Sequence, residues 1–373
     1  MIYIIAAILI FGVLIAVHEL GHFLAAKACG VRVNEFSIGM GPTILHKTKG
    51  DTTYSLRLLP IGGFCAMEGE DEDPGDPDPE DPDPENPDPE NPDPENPDPE
   101  NNQSFWKKLI IFAAGAFMNF LTGLIIIVVL YAGAKAFYVP VITDFADGCP
   151  LQSESGLQVG DRLVSIDGER VYVYSDVSLL LGRNKTGVFD LKVKRDGQTV
   201  TLKDFPMERA EYTDQQGQTY TGFGLMFGAE EATVGSRLRY SWNNAVDFVR
   251  IVRLSLQMLV TGEAGLKDVS GPVGIVSTIT DVGEQAESAS AAVENIAYLA
   301  ALVAVNLAVM NLLPLPALDG GKIFFLVVNA LCMLTIRKKI PAKFESYVHL
   351  AGFALLMLLM LVITFQDVWK LFQ

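Results

Sequence analysis

The chain has 373 residues, 49 % of them hydrophobic, and its mean hydropathy is +0.27. A soluble domain covers itself with charged side chains, so this composition excludes an ordinary soluble protein and predicts membrane segments. The formal net charge of −17 argues against a nucleic-acid-binding protein. Most of the excess charge lies in residues 68–100, which hold 17 Asp or Glu and no Lys or Arg. The rest of the chain is balanced, with 28 acidic and 28 basic residues.

Four apolar stretches are long enough to cross about 30 Å of hydrocarbon as helices. They cover residues 2–28, 109–137, 296–313 (continuing past a Pro-rich break) and 347–371. With their flanking residues, they predict transmembrane helices at 1–30, 103–138, 293–333 and 347–373. The first stretch lacks a basic leading region and is longer than the core of a signal peptide, so we expect it to be retained in the protein.

Basic residues beside the apolar stretches predict how the chain crosses the membrane. They lie between the first two stretches and in the loop 334–346, at Lys27, Arg32, Lys107, Lys108, Arg337, Lys338, Lys339 and Lys343. Short basic connections stay on the cytoplasmic side of a membrane. We therefore expect a multi-pass protein whose two termini and whose large region 139–295 lie outside the cytoplasm.

The segment 31–67 has Gly-rich and β-branched stretches that predict a β-hairpin. Such a hairpin enters a bilayer only where protein or water shields its backbone, and otherwise it lies on the cytoplasmic face. The sequence leaves both placements open. The next segment, 68–102, is a low-complexity loop in which Pro-Asp-Pro-Glu-Asn repeats. Because alternating prolines and mutually repelling carboxylates cannot form a core, we predict an extended spacer.

Residues 139–230 predict a small soluble domain with short strands at 162–166, 189–195 and 199–204. The domain has no histidine and no group of residues typical of a nucleophilic centre. A binding module is therefore favoured, with a purely structural plug as the alternative. Residues 231–292 form an amphipathic and linker region, with apolar residues at helical spacing from 235 to 266. That helix lies either at the membrane interface or against the soluble domain.

The first span contains His18-Glu19-Leu20-Gly21-His22, an H-E-x-x-H motif. Two histidines four residues apart share one face of a helix, so both can bind a single Zn²⁺. Glu19 then lies beside the open position of the metal, where it can take a proton from water. A histidine pair satisfied by neighbouring helices is the alternative. It is disfavoured because ionisable groups are costly in hydrocarbon and usually mark a functional site.

A catalytic zinc site needs three protein ligands and one open position. The candidate third ligand is Asp319, the one acid in the apolar segment Asn-Leu-Leu-Pro-Leu-Pro-Ala-Leu-Asp-Gly-Gly at 311–321. Pro314 and Pro316 break the helix, so the aspartate can turn inward. Asn311 is a candidate for binding the substrate backbone or a developing oxyanion, with an interhelical hydrogen bond as the alternative. We predict that Asn311, Pro314 and Pro316 bind substrate.

The two motifs together resemble those of the site-2 protease family, the M50-type intramembrane zinc metalloproteases, and most of all its bacterial RseP-type members. Matching stretches are Gly-Met-Gly-Pro at 39–42, Gly-Gly-Phe-Cys-Ala-Met at 62–67 and Ser-Gly-Pro-Val-Gly at 270–274. Residues 155–168 resemble the PDZ domain that those proteases carry. The resemblance covers nearly the whole chain apart from the acidic repeat.

The resemblance implies a polytopic α-helical membrane protein with about four transmembrane helices, a membrane-associated β-hairpin and a soluble PDZ-like domain. It implies a place in the bacterial inner membrane. It implies Zn²⁺ bound by His18, His22 and Asp319, with Glu19 as the catalytic acid and base. The implied substrates are single-span membrane proteins of the anti-sigma-factor type, shortened beforehand by another protease, and remnant signal peptides. The chain departs from the family in having room for one PDZ-like domain, where the best-known relatives have two, and in its acidic repeat.

Two other classes of function stay open on the sequence. An inactive zinc-binding membrane scaffold with a PDZ module would not need a general base such as Glu19. A metal transporter that collects cations on the acidic loop would show repeated spans with matching breaks. The histidine pair and the aspartate each occur once, so an active protease is the favoured hypothesis.

Overall fold

A computed structural model describes residues 2–68, 104–213 and 217–370. The helices are α1 Ile2–Cys29, α2 Phe105–Ala132, α3 Ser175–Arg183, α4 Val234–Thr261, α5 Pro272–Glu284, α6 Ala289–Asn311, α7 Asp319–Thr335 and α8 Ala342–Lys370. The strands are β1 Val33–Lys49, β2 Thr52–Met67, β3 Ala136–Phe145, β4 Arg162–Ile166, β5 Glu169–Arg170, β6 Val188–Arg195, β7 Gln198–Pro206, β8 Ala210–Thr213, β9 Thr219–Gly222 and β10 Leu225–Glu231. The chain divides into two compact units, Met1–Ile126 with Val252–Gln373, and Ile127–Ile251. The predicted acidic spacer 68–102 lies outside the described residues, apart from Glu68.

Within the described ranges, four helices are long and apolar enough to cross a membrane, namely α1, α2, α6 and α8. This confirms the prediction of a membrane protein with four candidate spans. The last of them, α8, exposes large apolar side chains along its length, among them Leu350, Leu355, Leu358 and Phe365. A surface of this kind is unfavourable in water, so it indicates a helix whose neighbours are lipid chains.

The second span ends earlier than predicted. We expected it to reach residue 138, but α2 ends at Ala132 and β3 begins at Ala136. Side chains from Ala136 to Val139 alternate between exposed and buried. This alternation has the two-residue period of a strand. Because a lipid-facing helix and a half-buried strand are both apolar, composition alone did not separate them.

The third predicted span, 293–333, is divided at the predicted Pro-rich break. It consists of α6 and α7, with a turn at residues 312–318 between them. The hydroxyl of Ser288 accepts a hydrogen bond from the backbone N–H of Ala291 (3.1 Å), and this cap begins α6 earlier than predicted. The preceding region, 231–292, contains α4 and also α5, a helix that the sequence did not predict.

The segment 31–67 forms an antiparallel hairpin that bends back on itself. Residues 35–38 of β1 pair on one side with 53–56 of β2 and on the other side with 63–66 of the same strand. Near its base the hairpin packs on α1 and α2 through a buried cluster of Ala26, Val31, Val33, Phe36, Cys65, Met67 and Ile111. Farther from the base, large apolar side chains such as Leu45 (65 %) and Leu58 (59 %) are exposed.

The unit Ile127–Ile251 is built on an antiparallel sheet with the strand order β10-β3-β4-β6-β7, and β5 pairs with β4. The predicted strand 162–166 has the bounds of β4, and the predicted strands 189–195 and 199–204 lie within β6 and β7. The helix α3 was not predicted, because its nine residues are too few for the helical period to stand out. The PDZ-like character of this unit stays a prediction.

A buried ionic cluster in this unit joins α3 to α4. The guanidinium of Arg250 lies 2.7 Å from the carboxylate of Asp176 and also donates to the carboxylate of Asp247. Asp176 in turn accepts backbone N–H bonds from Tyr172 (2.5 Å) and Val173 (3.0 Å). One cation thus lies between two buried carboxylates. Burial, followed by the nearby charge of Asp176, raises the pKa of Asp247 to about 7.

We predict that this unit loses stability as the pH rises through neutrality. A carboxyl group whose pKa is higher in the folded than in the unfolded state stabilises the fold fully below its unfolded pKa, near pH 4. That contribution is lost as the pH rises through about 7, and it amounts to at most about 4 kcal/mol. Hydrogen-exchange protection of β4 and β6 amides, measured on the full chain at about pH 5 and about pH 8, tests this.

The Asp247→Asn variant removes the titrating group and should reduce the difference in protection between the two pH values. Glu208, which is exposed on the same unit, provides the control substitution Glu208→Gln, for which the difference should stay as in the wild type. An undiminished pH dependence in Asp247→Asn would show that another group is responsible.

Candidate metal centre

Three potential metal ligands converge in the unit Met1–Ile126 with Val252–Gln373. His18 and His22 lie on α1, and Asp319 is the first residue of α7. The Oδ2 atom of Asp319 lies 3.1 Å from Nε2 of His18 and 3.2 Å from Nε2 of His22. The two Nε2 atoms are 3.2 Å apart. The three ligand atoms therefore form a nearly equilateral triangle.

This triangle fits one face of a zinc tetrahedron. With metal–ligand distances of about 2.0–2.1 Å, tetrahedral angles separate two ligand atoms by about 3.3–3.4 Å. The buried Oδ2 atom of Asp319 has no hydrogen-bond partner among the described residues. A buried carboxylate oxygen without a donor is costly unless a cation compensates it. The set of donor atoms, two imidazoles and one carboxylate with a fourth position open, is typical of a catalytic zinc centre.

The tautomer of His22 is fixed by α2. Its Nδ1 atom lies 2.8 Å from the backbone carbonyl oxygen of Ile111. Because a carbonyl can only accept, Nδ1 carries the proton and Nε2 presents a lone pair toward Asp319. This is the form of histidine that binds a metal, and the carbonyl group of Ile111 holds the ring in place.

The turn between α6 and α7 brings Asp319 into the centre. A Cβ atom at Gly320 would lie 2.2 Å from the carbonyl oxygen of Leu313, and one at Gly321 would lie 2.3 Å from that of Leu315. Only glycine allows the backbone at these two positions to lie so close to the turn. The turn is also held by α8, because the N–H of Ala317 donates to Nδ1 of His349 (3.0 Å). The start of α7 favours a negative charge on the carboxylate of its first residue.

Glu19 follows His18 on α1 and faces the hairpin. A Cβ atom at Gly63 of β2 would lie 3.3 Å from Cγ of Glu19 and 2.8 Å from the carbonyl oxygen of Ser37. The strand therefore passes against Glu19 without room for a side chain. Residues 63–66 of β2 pair with residues 35–38 of β1. This segment of β2 thus lies next to the predicted general base.

The three residues predicted to bind substrate differ in their placement. Nδ2 of Asn311, at the end of α6, lies 3.4 Å from Nδ1 of His18, so the structure brings Asn311 to the centre. Pro316 packs against α8, where a Cβ atom at Gly352 would lie 2.3 Å from Cβ of Pro316. Pro314 is exposed in the turn. A substrate-binding role for the two prolines stays a prediction, and their observed contacts fit a role in shaping the turn.

The contribution of α2 to the centre was not predicted from the sequence. Ile111, Gly115 and Asn119 lie four residues apart along α2 and face the two histidines. One signal was present, because an asparagine inside an apolar span is costly and usually marks a functional position. The other two positions carried none, since Ile111 acts through its backbone and Gly115 through its lack of a side chain.

Comparisons with known proteins agree with this geometry. The profile of Peptidase family M50 matches residues 6–359. A protein of Clostridium perfringens that carries a provisional zinc metalloprotease name is 35 % identical over 367 residues, covering 98 % of both chains. The regulator of sigma-W protease RasP of Bacillus subtilis is 32 % identical over 433 residues, covering 99 % of both chains. The zinc metalloprotease RasP of Geobacillus kaustophilus is 30 % identical over 436 residues, covering 99 % of this chain and 98 % of the relative.

Proposed function

We propose that this chain, which belongs to peptidase family M50, cleaves single-span membrane proteins inside the bilayer. Its relatives confirm the predicted enzyme class, a zinc metalloprotease, and the predicted cofactor, Zn²⁺. The observation that carries the proposal is the convergence of His18, His22 and Asp319 within 3.2 Å of one another. Two of these ligands lie well inside α1, a candidate membrane span, so the chemistry would take place at membrane depth.

The proposed ligands of the zinc ion are His18, His22 and Asp319. Bound zinc supplies a Lewis acid for the scissile carbonyl and makes water acidic enough to lose a proton near neutral pH. Glu19 accepts that proton and returns it to the leaving amine, which is the work of one general acid and base. Asn311 lies close enough to the centre to donate a hydrogen bond to the substrate carbonyl oxygen as negative charge develops on it.

The hairpin is the proposed guide for the substrate chain. A helical substrate hides its carbonyl groups in intrahelical hydrogen bonds, so the segment to be cut must first unwind. The hairpin presents an edge with which an extended chain could pair, and its strand β2 passes next to Glu19. Pairing at that edge would stabilise the unwound segment beside the general base. The exposed apolar side chains of the hairpin support its placement in the membrane rather than on the cytoplasmic surface.

The proposed substrates follow from the class of the enzyme and the name of one relative. RasP of Bacillus subtilis is named as a regulator of sigma-W protease, which supports membrane proteins of the anti-sigma-factor type. We expect such a substrate to have been shortened beforehand by another protease, and we include remnant signal peptides in the same class. The unit built on β3 to β10 is the proposed PDZ-like module that limits access of long substrates, with both termini and this module outside the cytoplasm of a bacterium.

A reconstituted cleavage assay tests the proposal. Purified full-length protein in proteoliposomes would receive a tagged single-span reporter, either with its outer domain or trimmed to a short stub. We expect cleavage of the trimmed reporter, at a bond that mass spectrometry places inside the apolar segment, and loss of cleavage on addition of a zinc chelator. Cleavage only in the soluble part of the reporter, or none with stoichiometric zinc bound, would contradict intramembrane proteolysis.

A further inference from the structure

We propose that Asn119 of α2 positions the zinc ligand His18 by accepting a hydrogen bond from its Nδ1–H group. The side chain of Asn119 is 1 % exposed, and its Oδ1 atom has no hydrogen-bond partner among the described residues. Its amide lies beside the ring of His18, with Nδ2 at 3.5 Å from Nδ1. A buried asparagine with an unused acceptor next to an imidazole is the observation from which the inference starts.

Zinc binding requires the tautomer of His18 that is protonated on Nδ1, and this proton gives the Oδ1 atom of Asn119 a donor to pair with. Nε2 of His18 faces Asp319 (3.1 Å), so a metal takes the lone pair of Nε2 and the proton resides on Nδ1. An Nδ1–H group needs an acceptor, and ligating histidines nearly always have one. A half-turn of the Asn119 amide exchanges its nitrogen and oxygen atoms without changing the space that it fills. The oxygen then lies where it can accept from His18.

The same helix already provides this support for the other histidine. Ile111 holds Nδ1 of His22 through its carbonyl oxygen at 2.8 Å. Asn119 lies eight residues, or about two helical turns, farther along α2 on the same face. Between them Gly115 leaves room for both rings, since a Cβ atom there would lie 2.4 Å from Nε2 of His22 and 2.6 Å from Cε1 of His18. One face of α2 thus supports both imidazoles from behind.

The Nδ2 atom of Asn311 also lies near Nδ1 of His18, at 3.4 Å. The surroundings of the two amides indicate which one supports His18 and which one binds substrate. Asn119 is almost fully buried on α2, whereas Asn311 is half-buried at the end of α6, next to the turn that carries Asp319. The buried amide of Asn119 is therefore the one that we assign to a constant hydrogen bond with the His18 ring. Asn311 is then free to turn toward the substrate, as in the proposed mechanism.

Zinc affinity measured by chelator competition on the purified full-length protein tests the inference. We expect Asn119→Ala, which removes the amide without adding bulk, to weaken zinc binding about 10–100-fold. Asn119→Asp keeps an acceptor oxygen and should bind zinc close to the wild-type affinity. Thr122 lies one turn away on α2 and donates to the carbonyl oxygen of Met118 (2.8 Å), so Thr122→Ala is the matched control with unchanged affinity.

A spectroscopic measurement distinguishes a change in ligand geometry from a loss of folded protein. Cobalt exchanged into the site reports ligand geometry, and Asn119→Ala should shift the visible absorption bands while Asn119→Asp should keep them. Equal zinc affinity and unchanged cobalt spectra in Asn119→Ala would overturn the inference, as would a loss of affinity in Asn119→Asp equal to that in Asn119→Ala. The inference rests on the proposed role of His18 as a ligand. If the wild type and His18→Ala bind zinc equally, that role fails; if only His18→Ala loses zinc, the role stands and Asn119 is judged separately.

Discussion

Replacing Glu19 with glutamine should leave zinc bound and lower the rate of cleavage of a transmembrane reporter by about 10²–10⁴-fold. Glutamine keeps the size and polarity of glutamate, so the approach of β2 at Gly63 should be undisturbed. It cannot take a proton from water at neutral pH, however, and it cannot return one to the leaving amine. The measurement combines initial rates of cleavage in proteoliposomes with metal analysis of the same protein sample.

The contrast with Asp319→Ala makes this prediction specific. That substitution removes one corner of the triangle of ligand atoms and should lower both the zinc content and the activity. A Glu19→Gln protein that still cleaves the reporter at the wild-type rate would remove Glu19 from the proposed mechanism. A Glu19→Gln protein without zinc would show that the glutamate supports the metal centre rather than the proton transfer.

The ligand set was predictable because each ligand is an ionisable residue in an apolar segment. His18 and His22 are ionisable residues within an apolar span, and Asp319 is the one acid in an apolar segment that prolines interrupt. Ionisable residues are costly in hydrocarbon and usually mark a functional site, so the ligands could be identified without a structure. The sequence could not show that the three ligand atoms meet within 3.2 Å, because that depends on how α1 and α7 pack.

The supporting elements were less predictable, because they act through backbone or through small size. The carbonyl oxygen of Ile111 exists at every residue, and its role follows only from the place of α2 beside α1. The boundary between α2 and β3 was missed because apolar residues suit both a lipid-facing helix and a half-buried strand. The helix α5 was missed for another reason. Its N-terminus at Gly271 and Gly274 is capped by the carboxylate of Asp367 (2.9 and 2.8 Å), a partner that lies more than 90 residues away.

The Gly115→Ala substitution should disable the metal centre with a single added methyl group. The methyl carbon would lie 2.4 Å from Nε2 of His22, 2.6 Å from Cε1 of His18 and 2.8 Å from Nδ1 of His18. Carbon and nitrogen atoms in contact are normally about 3.5 Å apart, so at least one ring must move by roughly 1 Å, or α2 must shift away from α1. Either movement opens the triangle of ligand atoms. We expect zinc affinity to fall by more than about 100-fold, since mutation of a supporting residue alone typically costs 10–100-fold.

Gly133, the residue that follows α2, provides the matched control, because a Cβ atom there meets no atom within 4 Å. Gly133→Ala makes the same chemical change on the same segment and should keep both zinc and activity. Chelator competition on the two purified variants, with cleavage of the trimmed reporter as the second readout, measures the difference. Gly115→Ala with wild-type zinc affinity would mean that α2 does not press against the histidines as described, and the support of His18 by Asn119 would fail with it.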